Sequence, residues 1–358
     1  MGIFQGMQAA TIRNMRIIGA IFNDPNDTRL AALVSDAENS TFSNNRFEYK
    51  SSANSMGDSA TIGYCGTCII SDNTIQLEIT SGTFTNSAGF LVKNNSSTIT
   101  NTHVNLKLNV EQINEVGGFS LYNDNSTISK SSVKSTITQK DLGLGYLGGN
   151  KIVLSGFARA TNSSHISESF SQLTFTQEVN VLDHWLAGFV FSTDSSDFTN
   201  VYAKSNLTFV TDDFRFISGF ARDAANSTLT NSYVALTLNA SANPLAFGGG
   251  SEENAGLIKE ENAVNTFSNI FTVSNINVAD PIYGTTYNRT IDNYSGASDL
   301  STLFYASDTS CPSCTANGTG NPVASFYTNA SAPVNTWDFS TIWKTNAGTY
   351  PTLINNPE

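Results

Sequence analysis

The sequence predicts an all-β fold, a parallel β-helix (β-solenoid) of about nine coils, and three observations predict it. A small residue followed by a bulky apolar one recurs about every thirty residues, a core position follows each such mark at a fixed distance, and each unit closes on an alternating apolar segment.

The marks are Gly2, Ala32, Gly63, Gly89, Gly118, Gly156, Gly188, Gly219 and Gly256, many reading Gly-Phe. Ile12, Phe42, Ile99, Ile128, Ile166, Phe198 and Leu229 each lie ten positions after their mark, with Phe267 one later and Ile70 three earlier. The alternating segments repeat too: Ile75, Leu77, Ile79 returns as Val104, Leu106, Leu108 and as Val234, Leu236, Leu238. Period two with one apolar face is a β-strand, and the step of five that precedes it, as from Ile99 to Val104, requires a corner. Ahead of the first core residue stands a polar turn, Asn-Ser-Ser or Asn-Ser-Thr, where Asn tolerates the left-handed backbone of a tight corner.

One such unit cannot bury its apolar face alone. Stacking places equivalent positions over one another and pairs each backbone with its neighbours, so residues 1–280 are expected to form the solenoid and 281–358 a C-terminal coil and capping segment on its end. At about 4.8 Å per coil the rod is ~40 Å long, and right-handed coils are the expectation for parallel crossovers. The longest loops fall where the spacing stretches, around Asp141–Gly145 and Gly248–Gly250. Because the chain opens at Gly2-Ile3-Phe4 inside a coil, continuation in a longer chain or end-to-end self-association is expected.

Composition narrows the function. Charged residues are 13% of the chain and the net charge is −12, which opposes binding to nucleic acid. With 23 Phe and 12 Tyr the chain has enough apolar surface to fold. No run is long and apolar enough for a transmembrane segment, and Arg13 and Arg16 interrupt the early apolar stretch, which reads as structure and not as a signal peptide.

The units resemble the GLUG-motif repeats of filamentous-haemagglutinin-like surface proteins. Thr98-Ile99-Thr100-Asn101-Thr102 and Thr228-Leu229-Thr230-Asn231-Ser232 are similar to that family's Thr-Ile-Ser-Asn-Ser strand, and Trp337–Trp343 with Gly348–Leu353 is similar to its closing segment. The family's second glycine is present only as Gly6 and Gly66. The resemblance implies a secreted or surface-displayed, adhesin-like module and no catalytic residues.

Candidate chemistry is sparse. Cys65, Cys68, Cys311 and Cys314 form two Cys-X-X-Cys pairs that fit redox centres, a shared zinc site or two local disulfides. Stacking puts the pairs ~30 Å apart, too far for one zinc, and no helix is predicted beside them, so local disulfides in an oxidising compartment are expected. His103, His165 and His184 lack ligand spacing and are expected in surface or turn positions. Asp212, Asp213, Arg215, Arg222 and Asp223 are the densest mix of acids and bases, the place to look for glycan chemistry. Glu252, Glu253, Glu260 and Glu261 form an acidic stretch that reads as a solvated loop. Asn39, Asn95, Asn125, Asn162 and Asn226 head sequons available for N-glycosylation. No cofactor, metal or catalytic residue is expected. The leading expectation is a non-catalytic extracellular module meeting glycans or surface proteins; a carbohydrate-active β-helix enzyme is the alternative, and an ice-binding solenoid the third.

Overall fold

The computed structural model describes residues 3–22, 29–51, 55–80, 82–140, 152–178, 184–209, 216–240, 253–278, 286–294, 297–311, 314–356 and 358. It is a β-solenoid whose coils feed three sheets of parallel strands. A narrow face stacks nine short strands such as Thr98–Thr100, separated by eight coil-to-coil steps and so slightly fewer full turns than expected. A broad face stacks eleven strands, typified by His103–Val110. A third, seventeen-stranded sheet takes two strands per coil, such as Gln112–Gly117 and Ser120–Asp124, which meet at an elbow.

The columns expected from the repeat exist. Phe42, Ile70, Ile99, Ile128, Ile166, Phe198, Leu229 and Phe267 are successive register partners on the narrow face, and all are buried. On the broad face Ile75, Val104 and Val133 stack, as do Ile79, Leu108 and Ile137. The elbow contributes Phe119, Phe157, Phe189 and Phe220, stacked at 4.8, 4.8 and 5.1 Å, the rise of one coil. Each is a full side-chain burial of about 1.5–3 kcal/mol.

The glycine marks are required by closeness. At Gly156 a Cβ would lie 2.0 Å from the Gly188 carbonyl oxygen and 2.2 Å from Ser171 Oγ, so no side chain fits. One mark needs correcting and one offset is explained. Leu91, two residues after Gly89, pairs with Ile62, so the counterpart of Gly89 is Ala60 and not Gly63; Ile70 then falls ten after its mark like the others. Phe267 is late because the turn from Glu261 to Asn265 holds one residue more than that from Ala224 to Ser227, its equivalent in register, and exposes Val264.

Both corners flanking the narrow face use left-handed residues. The first carries Asn39, Ser96, Asn125, Ser163, Ser195 and Asn226, and the second Asn44, Asp72, Asn101, Asn200, Asn231 and Asn269, with φ between 46° and 57°. Beside each runs a polar spine. At the first corner the backbone N–H of Ser97, Ser126, Ser164 and Ser196 donates to the hydroxyl of Ser126, Ser164, Ser196 and Ser227 one coil on, at 3.2–3.3 Å. Each of these hydroxyls except that of Ser97 then donates at 2.8–3.0 Å to the carbonyl two residues before it, and Ser97 does so at 3.2 Å. Thr102, Ser131 and Val201 make the same coil-to-coil bond at the second corner. Buried polar groups are thereby paired in series.

The C-terminal segment divides. Thr286–Asn288 and Ile291–Asn293 add strands to the elbow sheet, and Leu303–Ala306 and Thr319–Asn321 extend the broad face. From about residue 323 the chain turns back along the flank. There Phe326, Val334, Trp337, Trp343 and Leu353 cover the outward-facing column Phe170, Tyr202, Tyr233 and Phe271. These four rings stack at 4.9 Å each. Trp337 Nε1 donates to the Asn269 carbonyl, Trp343 Nε1 to Asn200 Oδ1, and Asn356 Nδ2 reaches the carbonyls of Ser131 and Glu168.

Candidate functional site

The inside angle of the elbow gathers the molecule's densest chemistry. Its two arms face each other, so side chains that leave the core on either arm meet outside it. One arm presents Val153, Trp185 and Phe216 in register; the other presents Arg159, Phe191, Arg222 and Lys259. The Arg222 guanidinium lies 4.3 Å from the Trp185 ring and 5.3 Å from Phe216, Arg159 lies 4.3 Å from Phe191, and Lys259 Nζ lies 5.0 Å from Phe216. The Arg222 and Lys259 contacts bridge the arms, while Arg159 packs on Phe191 of its own arm, in a place dry enough that Lys259 is 1% exposed.

Carboxylates close the cluster. Asp223 and Glu260 are register partners on adjacent strands, held by Arg222 at 2.5 and 3.4 Å, while Lys259 lies 3.0 Å from Glu260. Burial pushes the Asp223 carboxyl up from its ordinary value, and the neighbouring Glu260 charge adds to this against the pull of Arg222. Glu260 moves down: burial opposes its charge, but the Lys259 hydrogen bond and the Arg222 charge outweigh it. Two carboxyl groups side by side, one favouring its proton and one favouring its charge, can share or relay a proton.

Arg222 and Asp223 were legible in the sequence as a charged pair. Glu260 was not, because its place opposite Asp223 depends on a loop of uncertain length between coils. Asp212, Asp213, Arg215 and Glu252 lie outside the described residues, as do the loops at 141–145 and 248–250. The acidic stretch does not act as one patch, since Glu260 faces the elbow while Glu261 points inward and hydrogen-bonds Ser298 and Asn265. No group of three or more metal-ligating side chains occurs among the described residues.

The cysteines pair locally, Cys65 with Cys68 and Cys311 with Cys314, at Cα separations of 5.9 and 5.6 Å. Cys68 occupies the spine position held by serine elsewhere: its backbone N–H donates to Ser97 Oγ, and its sulfur sits 3.6 Å from the Gly66 carbonyl. His103 is half-buried between Ser132 and Asn101, and His165 is exposed on the narrow face. His184 departs from the expected surface position. It is fully buried in the Ile152 column, edge-on to Phe175 and Phe209 and 3.1 Å from Gln177. Of the sequon asparagines, Asn39, Asn125, Asn162 and Asn226 are exposed and Asn95 is half-buried; in every one a buried spine serine follows within two residues.

The narrow face carries a column of hydroxyls, Ser43, Ser71, Thr100, Ser129, Ser167, Thr199, Thr230 and Ser268, in unbroken register. The parallel column reads Thr41, Ile69, Thr98, Thr127, His165, Asp197, Thr228 and Thr266, so three residues interrupt a regular hydroxyl lattice.

No described helix is long and apolar enough to cross a membrane. The chain matches no family model and no curated protein.

Proposed function

We propose that this chain is a non-catalytic structural or adhesive module of an extracellular or cell-surface protein, of the GLUG-repeat, filamentous-haemagglutinin-like kind, which engages glycans or surface proteins through its flat flanks. The observation that carries the reading is the investment of corner chemistry in the stack itself. Serine, asparagine and threonine bond coil to coil along both corners, and what remains is a stiff rod repeating the same outward positions at every step. Such a rod suits multivalent display. Two local disulfides support an oxidising compartment. Probing a glycan and surface-protein array with the labelled protein should give saturable binding to some member; silence across the array would remove the adhesive half of the proposal.

The Asp223–Glu260 pair favours a second reading, a carbohydrate-active enzyme acting at the elbow. Reducing-end release from a panel of polysaccharides, lost in Asp223→Asn, would promote it over the first. Absence of release across the panel leaves the elbow cluster as packing.

A further inference from the structure

The broad face is divided by the returning tail, and its open half has a distinct composition. The outward column that is aromatic under the tail reads Arg16, Arg46, Thr74, His103 and Ser132 in the earlier coils. The next column reads Glu48, Gln76, Asn105 and Lys134, and the third Lys50, Glu78 and Lys107. Five cations therefore face two carboxylates, in a chain of net charge −12. Glu78 is shared, 2.7 Å from Lys50 and 2.8 Å from Lys107, and Glu48 is paired with Arg46.

This half is also hollowed. A depression of about 200 Å³ between Lys50, Gln76 and Lys107 adjoins one of about 310 Å³ between Thr74, His103 and Lys134, and both are lined by Gln76 and Asn105. Together they make one trough that crosses the stacked strands obliquely. The tail ends it, with Asn356 bound at Ser131 and Glu168 and Glu358 paired to Lys204.

We propose that this trough binds a linear polysaccharide bearing carboxylates, a polyuronate chain. This rests on the adhesive reading and names its ligand class. Charge complementarity selects an acidic partner. The side-chain amides of Gln76 and Asn105, exposed between the cations, can both donate to and accept from sugar hydroxyls. Glu48 and Glu78 repel a densely charged polyanion, whereas a uronate carries one carboxylate per ring. Tyr49 in the trough wall is buried, so its ring offers no face for nucleobase stacking.

Native gels cast with polygalacturonate, dextran, dextran sulfate or single-stranded DNA test this on the whole chain. Polygalacturonate should retard the protein, dextran should not, and added salt should weaken the retardation. The double variant Lys107→Gln, Lys134→Gln should lose about tenfold in affinity, with circular dichroism unchanged, while Lys93→Gln on the elbow sheet should match wild type. Equal retardation of variant and wild type, or retardation by DNA or dextran sulfate as strong as by polygalacturonate, overturns the proposal. If the trough fails while the array finds neutral glycans or proteins, the adhesive reading stands; if both are silent, both fall.

Discussion

At the scale of single residues the corners decide the fold. A spine serine accepts one N–H from the preceding coil and satisfies a carbonyl of its own, so removing its hydroxyl orphans a buried donor. Ser126→Ala should therefore cost about 1–3 kcal/mol, read as a lower midpoint in urea without a change of slope. A midpoint within error of wild type would show that the spine adds nothing. The corners were legible because Asn-Ser-Thr recurs, although the sequence reads equally as glycosylation sequons. The structure gives those motifs a mechanical reason for existing. His184 was illegible, since nothing local distinguishes a histidine in a core column from one in a turn.

Strands and segments obey the stack. The glycine column sets how closely successive coils approach at the elbow, and Gly188→Ala would place a methyl 2.1 Å from the Gly219 carbonyl oxygen and 2.6 Å from Ser205 Oγ. Separation of the coils should follow, at about 3 kcal/mol, visible in thermal melting. An unchanged midpoint would mean that the coils can part there freely. The tail depends on its indoles: Trp343→Ala, which removes a fully buried ring lying 6.1 Å from both Tyr202 and Tyr233, should cost about 3–5 kcal/mol and free residues 323–358 to limited proteolysis. Protection of the segment in that variant would contradict the docking described. Here sequence reading fell short for a physical reason. Columns of alike residues announce themselves by period, and they gave the register over most of the chain. A tail that crosses several coils has no period, yet its landing site was written in the change from Arg46, Thr74, His103 and Ser132 to Phe170, Tyr202, Tyr233 and Phe271 at one outward position. The Ala60 mark was hidden because Gly63, three residues later, offered a better-looking glycine.

Across the whole molecule, charge and pH act through few groups. Hydrogen bonds from Lys107 and then Lys50 hold the Glu78 carboxyl down to about 2 from an ordinary 4.5. Asp338, at the turn between the two docked indoles, is also held low, by the hydroxyls of Ser340 and Thr341. Carboxyls depressed in the folded state stabilise it above their ordinary values, and that contribution drains away as the pH falls through the folded ones. Asp223 is raised and works in the opposite sense, gaining as acid protonates it. Burial and the Lys134 charge hold His103 below its ordinary 6.5, so stability should begin to slip as the pH falls through that value and decline further from about 4.5 toward 2, the second stage less steeply in Glu78→Gln. Melting temperatures that rise over that interval would reverse the assignment.

The corners hold in both directions. The Ser97 N–H looks forward to the Ser126 hydroxyl, while the Thr127 N–H looks back to the Ser97 carbonyl, and the same alternation recurs from coil to coil. Losing the turn ahead strands one donor and losing the turn behind strands another. Neither end of the rod is therefore a ready place for unravelling to start, and a pull on either should meet the same stepwise resistance.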